Sequence, residues 1–131
     1  MRMFKFSVDN IDIKINLEPG LYWLGVNSST GKSFLCDLLK THRTYGGLVA
    51  GYTYNDVLMG YKFSDMININ GVQAKVILVD RYDMYLGTLD NEMRKAAKDS
   101  VVLYDSKING YLGDKIAIVN LSDNLIEVIE T

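Results

Sequence analysis

A lysine set between a glycine and a serine, Gly31-Lys32-Ser33, follows the short apolar run Leu21–Leu24 and a loop of small polar residues, Gly25-Val26-Asn27-Ser28-Ser29-Thr30. Those residue types in that order can hold a phosphate. A glycine lets the backbone approach an anion with no Cβ in the way, the lysine ammonium can reach the outer phosphates of a nucleotide, and the serine hydroxyl can join a bound magnesium ion. Backbone N–H groups of such a loop point inward, and a helix beginning there aims its positive end at the same spot. The candidate phosphate-binding residues are therefore Gly25, Asn27, Ser28, Ser29, Thr30, Gly31, Lys32 and Ser33, with Ser33 also a magnesium ligand. The spacing G-x-x-x-x-G-K-[ST] would need glycine at 26, where Val26 stands; with Gly25 as the first glycine the loop is one residue longer and must bulge. The competing reading is an ordinary strand-to-helix turn in which Ser29 or Thr30 caps the helix and Lys32 is solvated.

A second constellation lies downstream. Val76-Ile77-Leu78-Val79 is an unbroken apolar run ending in Asp80, the pattern of a buried central parallel strand with a carboxylate at its carboxyl end. Ligands of open α/β sheets gather at that edge, so Asp80 is placed to hold magnesium directly or through water, opposite Ser33. Val101-Val102-Leu103-Tyr104-Asp105 repeats the arrangement. Asp83 and Asp105 are the carboxylates that could orient a water. His42, the single histidine, reads as a solvated or capping residue, and Cys36, the single cysteine, as a small buried side chain that cannot form an internal disulfide.

Alternation marks the elements that must position these groups. Met3–Val8 and Ile11–Leu17 form a hairpin across Asp9-Asn10, with Phe4, Phe6 and Val8 on one face and Ile11, Ile13, Ile15 and Leu17 likewise sharing one. Pro19-Gly20 turns the chain into the strand Leu21–Leu24. Phe34, Leu35, Leu38 and Leu39 stripe a helix after the loop, and Leu86, Leu89, Met93, Ala96 and Ala97 stripe another over 86–98. Residues 48–75 read as one or two strands with loops, their tyrosines better suited to packing than to stacking on a base. Lys115–Leu121 and Asn124–Ile129 close the chain as a hairpin across Ser122-Asp123.

Size and charge set bounds. The 131 residues read as one domain, 1–131, with no linker or repeat. Fourteen basic and sixteen acidic residues give a net charge of −2, which offers no strong signal for nucleic acid. No apolar run approaches the ~20 residues of a membrane span, and the start lacks the apolar stretch of a secretory signal, so a soluble, cytoplasmic protein is expected.

In order of parts the chain resembles a miniature ATP-binding-cassette ATPase, of the ABC and SMC branch of the P-loop NTPases, over most of its length except residues 48–75. The opening hairpin followed by GVNSSTGKS resembles that family's β subdomain and Walker A loop; VILVDRYDMYL resembles its Walker B and D-loop run, with Asp80 at the magnesium-binding aspartate and Leu86 at the D-loop leucine. SVVLYDSK resembles the strand leading to the switch histidine, and DKIAIVNLSDNLIEVIE the terminal hairpin. The resemblance implies a three-layer α/β P-loop NTPase-like sandwich, with a central mainly parallel sheet and antiparallel β additions at the N- and C-termini. It implies ATP or another NTP with magnesium as cofactors, and a homodimer or larger protein partner completing the site. Several family features are missing. Arg81 stands where the catalytic glutamate belongs, and a guanidinium cannot accept a proton from an attacking water. No histidine stands near Ser106, Gln73 lies just before the Asp80 strand, and there is no LSGGQ-type signature or helical subdomain.

The function expected is nucleotide binding, with hydrolysis weak, absent or dependent on a partner. The alternative is a degenerate fold of this kind serving as a protein-interaction module without nucleotide. A small-molecule kinase ranks below both, because no arginine-bearing lid is evident.

Overall fold

The computed structural model describes residues 3–24, 44–45, 47–85, 87–105 and 115–130. Strand β1 (Met3–Val8) turns into β2 (Ile11–Asn16) through Asp9 and Asn10, which both take positive φ, 50° and 65°. That left-handed pair matches the twist of the flanking strands, and Asp and Asn tolerate it better than most residues. Strand β3 (Gly20–Leu24) follows Pro19, and the short β4 (Thr44–Tyr45) precedes β5 (Val49–Tyr52). The chain then forms two brief helices, α1 (Tyr54–Leu58) and α2 (Phe63–Met66), and a small separate hairpin of β6 (Asn68–Ile69) and β7 (Val72–Gln73). Strand β8 (Val76–Val79), a 3-10 turn (Tyr82–Tyr85), helix α3 (Asp90–Ala96) and β9 (Val101–Tyr104) come next. Strands β10 (Lys115–Ser122) and β11 (Leu125–Glu130) form the last hairpin.

Nine of these strands make one sheet in the order β1-β2-β11-β10-β3-β9-β8-β5-β4. Its middle, β3-β9-β8-β5, is parallel throughout. Val76–Val79 and Val101–Tyr104 are buried at every position, as expected of strands covered on both faces. The two terminal hairpins are antiparallel within themselves and join the sheet through parallel ladders, β2 with β11 and β10 with β3.

Side-chain alternation sorts the core into two clusters. One contains Phe6, Ile13, Ile15, Leu17, Tyr22, Leu24, Leu78, Leu103 and Val128, with Phe4, Val8 and Ile11 packed against it. The other contains Leu21, Ile77, Val79, Val102 and Tyr104, together with Phe63, Ile67, Tyr82, Tyr85, Leu89, Met93 and Ala96.

That division overturns the three-layer sandwich. Half of the described residues are strand and a fifth are helix, in a curled mixed sheet. A three-layer fold needs helices over both faces, whereas the buried residues of α2, the 3-10 turn and α3 all join one cluster, and the described members of the other are strand residues plus Leu17. The antiparallel pairs expected at the two termini are present as hairpins, and each joins the sheet by parallel pairing. Two local expectations change as well. The helix expected over 86–98 spans only Asp90–Ala96, and residues 48–75, expected as strands and loops, hold α1 and α2.

Candidate functional site

The parallel strands end in register. Trp23 of β3 stands opposite Tyr104 of β9, Tyr104 opposite Val79 of β8, and Val79 opposite Tyr52 of β5. The next residues along each strand are therefore Leu24, Asp105, Asp80 and Thr53, side by side along one carboxyl edge. Two ladder bonds continue past the strands and hold the acidic pair there: the Asp105 amide donates to the Val79 carbonyl and the Asp80 amide to the Tyr52 carbonyl, each at 3.0 Å.

Beyond Asp80 the chain bends sharply. Arg81 takes φ +53°, unusual for a residue with a long side chain, and the Tyr82 amide donates to the Asp105 carbonyl at 2.6 Å. The Tyr85 hydroxyl donates to the Asp80 carbonyl at 2.7 Å, closing the 3-10 turn back onto the strand end. Asp80 is half-buried and Asp105 is buried. Asp83 belongs to the 3-10 turn.

Tyrosines wall this edge and stay protonated. The Tyr82 hydroxyl donates to Asp90 Oδ1 at 2.5 Å; burial first, and then that bond, push its pKa above the ordinary 10.0. Burial likewise raises Tyr52, helped by the charges of Asp56 and Glu92. The Tyr52 ring meets Phe63 edge-on at 5.3 Å and Tyr85 at 6.0 Å, and only 4 % of Tyr52 is exposed, so it serves packing, as its place in a strand implied.

Of the residues singled out in the sequence, the structure brings Asp80 and Asp105 to the same edge. Gly25, Asn27, Ser28, Ser29, Thr30, Gly31, Lys32 and Ser33 lie outside the described residues, as do Cys36 and His42. Gln73 has a structural occupation: its Nε2 donates to the Ala96 carbonyl at 3.1 Å and to Ser100 Oγ at 2.7 Å, tying β7 to the end of α3.

The sequence reading missed the Thr53–Asp56 pair at this edge. The Asp56 carboxylate accepts from the Thr53 amide at 2.9 Å and from the Thr53 hydroxyl at 3.3 Å, which fixes the start of α1 beside Asp80. The signal was present as Thr53-Tyr54-Asn55-Asp56, a threonine followed three residues later by an acid, which marks a helix start. Among the described residues no three His, Cys, Asp or Glu side chains gather as a metal cage. Magnesium does not need one, since it is usually held by one or two carboxylates with the remaining positions left to water and phosphate oxygens.

No family model, curated protein or solved structure matches the chain. Among the described residues no helix is long and apolar enough to cross a membrane.

Proposed function

We propose that the protein binds a nucleotide, ATP with magnesium, and that its hydrolysis is weak, absent or dependent on a partner. One observation carries this reading: Asp80 and Asp105 end adjacent parallel strands in register with β3, and β3 is the strand whose sequence continues into Gly25–Ser33. A hard cation suits a half-buried carboxylate at such a strand end, so Asp80 fits magnesium, with Ser33 as the second protein ligand. Bound magnesium would neutralise phosphate charge. On this reading Lys32 and the loop amides bind the phosphates, while Asp105 lies one strand over at the same edge. Arg81 supplies no base, which accounts for weak hydrolysis.

Isothermal titration calorimetry with ATP and magnesium tests the proposal. Saturable binding that disappears in Lys32→Ala supports it, and no heat at millimolar nucleotide removes it.

An interaction module is the second reading, favoured by one surface. Tyr54, Val57, Leu58, Met59 and Tyr61 crowd into eight residues with Leu58 and Met59 about two-thirds exposed, at 67 % and 65 %. Apolar side chains so concentrated mark contact surfaces more often than chance exposure does. A melting temperature unmoved by nucleotide would favour this reading, because a ligand that selects the folded state must raise stability.

A further inference from the structure

We infer that β1, the outer strand of the sheet, pairs with β1 of a second copy of this chain, antiparallel and about a twofold axis, to make a closed dimer. Strand β1 ends the strand order, and among the described residues its only ladder partner is β2. The direction of its backbone groups can be read from β2. The Asp12 amide donates to the Asn124 carbonyl at 2.8 Å, away from β1, and backbone groups along a strand alternate in direction. Asp12, Lys14 and Asn16 therefore turn their backbone groups away from β1, and their register partners Ser7, Lys5 and Met3 turn theirs away from β2. Those three residues present outward N–H and C=O groups to which another strand can be added.

One register suits both faces of the strand. Phe6 is buried in the strand core, and Phe4 and Val8 are half-buried against it, whereas Met3, Lys5 and Ser7 are exposed on the other face. Setting Phe6 opposite Phe6 of the second copy places Phe4 opposite its Val8, apolar on apolar, and Lys5 opposite its Ser7. A shift of one residue would bring Phe6 against a lysine and misalign the amides, and a shift of two would set Lys5 against Lys5 or Phe4 against Asn10 of the turn. Charge favours the same register. Lys14 has Glu127 of β11 opposite it, whereas Lys5 has Lys14 beside it. The Asp12 carboxylate, which accepts from the Ser7 hydroxyl at 2.7 Å, would lie two strands from Lys5 of the second copy, about 10 Å between backbones and within a lysine's reach. A lysine on an edge strand ordinarily guards against pairing; here each is offset onto a serine and an acid.

Twofold pairing occupies the β1 edge of both copies, and the strand at the other end of the sheet, β4, is two residues long, so the assembly stops at two. The interface does not rest on the nucleotide reading, because four strands stand between β1 and β9 in the sheet order.

Sedimentation velocity of the full chain without nucleotide, from micromolar to submillimolar concentration, tests it. A monomer–dimer equilibrium is expected. Ser7→Pro removes an outward amide where an edge strand accepts proline, and should weaken association at least about tenfold. Lys5→Glu should weaken it by a similar factor, because it sets an acid beside Asp12 of the second copy; within its own chain it gains Lys14 as an opposite charge, so the monomer stays folded. Lys5→Glu/Asp12→Lys restores opposite charges across the axis and should recover association to within about threefold of the parent. Leu58→Ala and Lys32→Ala should associate as the parent does, which separates this edge from the apolar surface of α1 and from the nucleotide loop. A monomer at every concentration overturns the pairing, as does an association that neither Ser7→Pro nor Lys5→Glu weakens, or one that Leu58→Ala abolishes. No recovery in the charge-swapped variant overturns the register, and growth beyond two copies overturns the closed assembly.

Discussion

The Tyr82 amide donates to the Asp105 carbonyl across 2.6 Å, so the bend after Asp80 is tied to the end of the neighbouring strand. Backbone bonds thus hold the two strand-end acids at one edge, together with the Tyr85 hydroxyl that donates to the Asp80 carbonyl. Substituting either side chain should leave its position intact, which makes the pair open to mutational test.

If Asp80 serves magnesium, Asp80→Asn keeps the shape and removes the charge. ATP affinity measured with magnesium should fall about tenfold or more, while affinity measured in chelator should stay within about twofold of the parent. Calorimetry in both buffers reads the difference. Equal losses in the two buffers would mean that Asp80 supports the fold and not the ion.

Tyr82→Phe deletes the hydroxyl that donates to Asp90 and leaves the ring, which packs 5.1 Å from Tyr104, in place. The expected cost is about 1.5–3 kcal/mol, as for other hydrogen bonds to charged groups. Urea denaturation at neutral pH measures it.

Alkaline pH should unfold the protein through its tyrosines. Tyr22, Tyr52 and Tyr82 all have pKa values raised above 10.0, burial being the first cause in each. Below that value both states keep their protons and stability is at its full level. Above it the unfolded chain releases protons that the folded chain retains, so stability falls as pH rises. The urea midpoint should hold steady to about pH 9 and drop beyond about pH 10, with a shallower drop in Tyr82→Phe.

Removing the Asp56 carboxylate should loosen α1 locally. Asp56 is 3 % exposed and accepts both Thr53 hydrogen bonds, so Asp56→Ala should cost about 1–2 kcal/mol. Hydrogen exchange at Val57 and Leu58 should accelerate more than exchange in β8.

Two leucines set the scale of the core. Leu103 is fully buried and Leu103→Ala should cost about 2–5 kcal/mol, whereas Leu58 is mostly exposed and Leu58→Ala should change stability by less than about 0.5 kcal/mol. A loss of self-association or of partner binding in Leu58→Ala, at unchanged stability, would show that the exposed apolar surface makes contacts.

Much of the local structure was legible. Alternation in Met3–Val8, Ile11–Asn16, Lys115–Ser122 and Leu125–Glu130 marked all four hairpin strands, because a strand with a covered face repeats every two residues. Asp9-Asn10 marked the first turn by its tolerance of positive φ. The last turn is shifted by one residue from the expected Ser122-Asp123: Ser122 pairs with Leu125, and Asp123 takes the positive φ, at 50°. The runs before Asp80 and Asp105 read as buried strands, and they are. Helix α1 was missed because its capping pair lies in a tyrosine-rich stretch with weak periodicity. The helix around Met93 was drawn too long because Leu89 before Asp90 and Ala97 after Ala96 continue its apolar stripe past both ends.

What the residues determined by themselves was which stretches become strands, which face of each is apolar, and that acids close two of the buried runs. Each of these follows from neighbours a few positions apart. The order of the strands was decided only by the tertiary structure: β11 lies beside β2, β10 beside β3, and β9 between β3 and β8. Pairing partners come from distant parts of the chain, and many orders would satisfy the same alternation. The choice among them depends on which sides of the curled sheet can be buried together, and that choice sets Asp105 between β3 and Asp80.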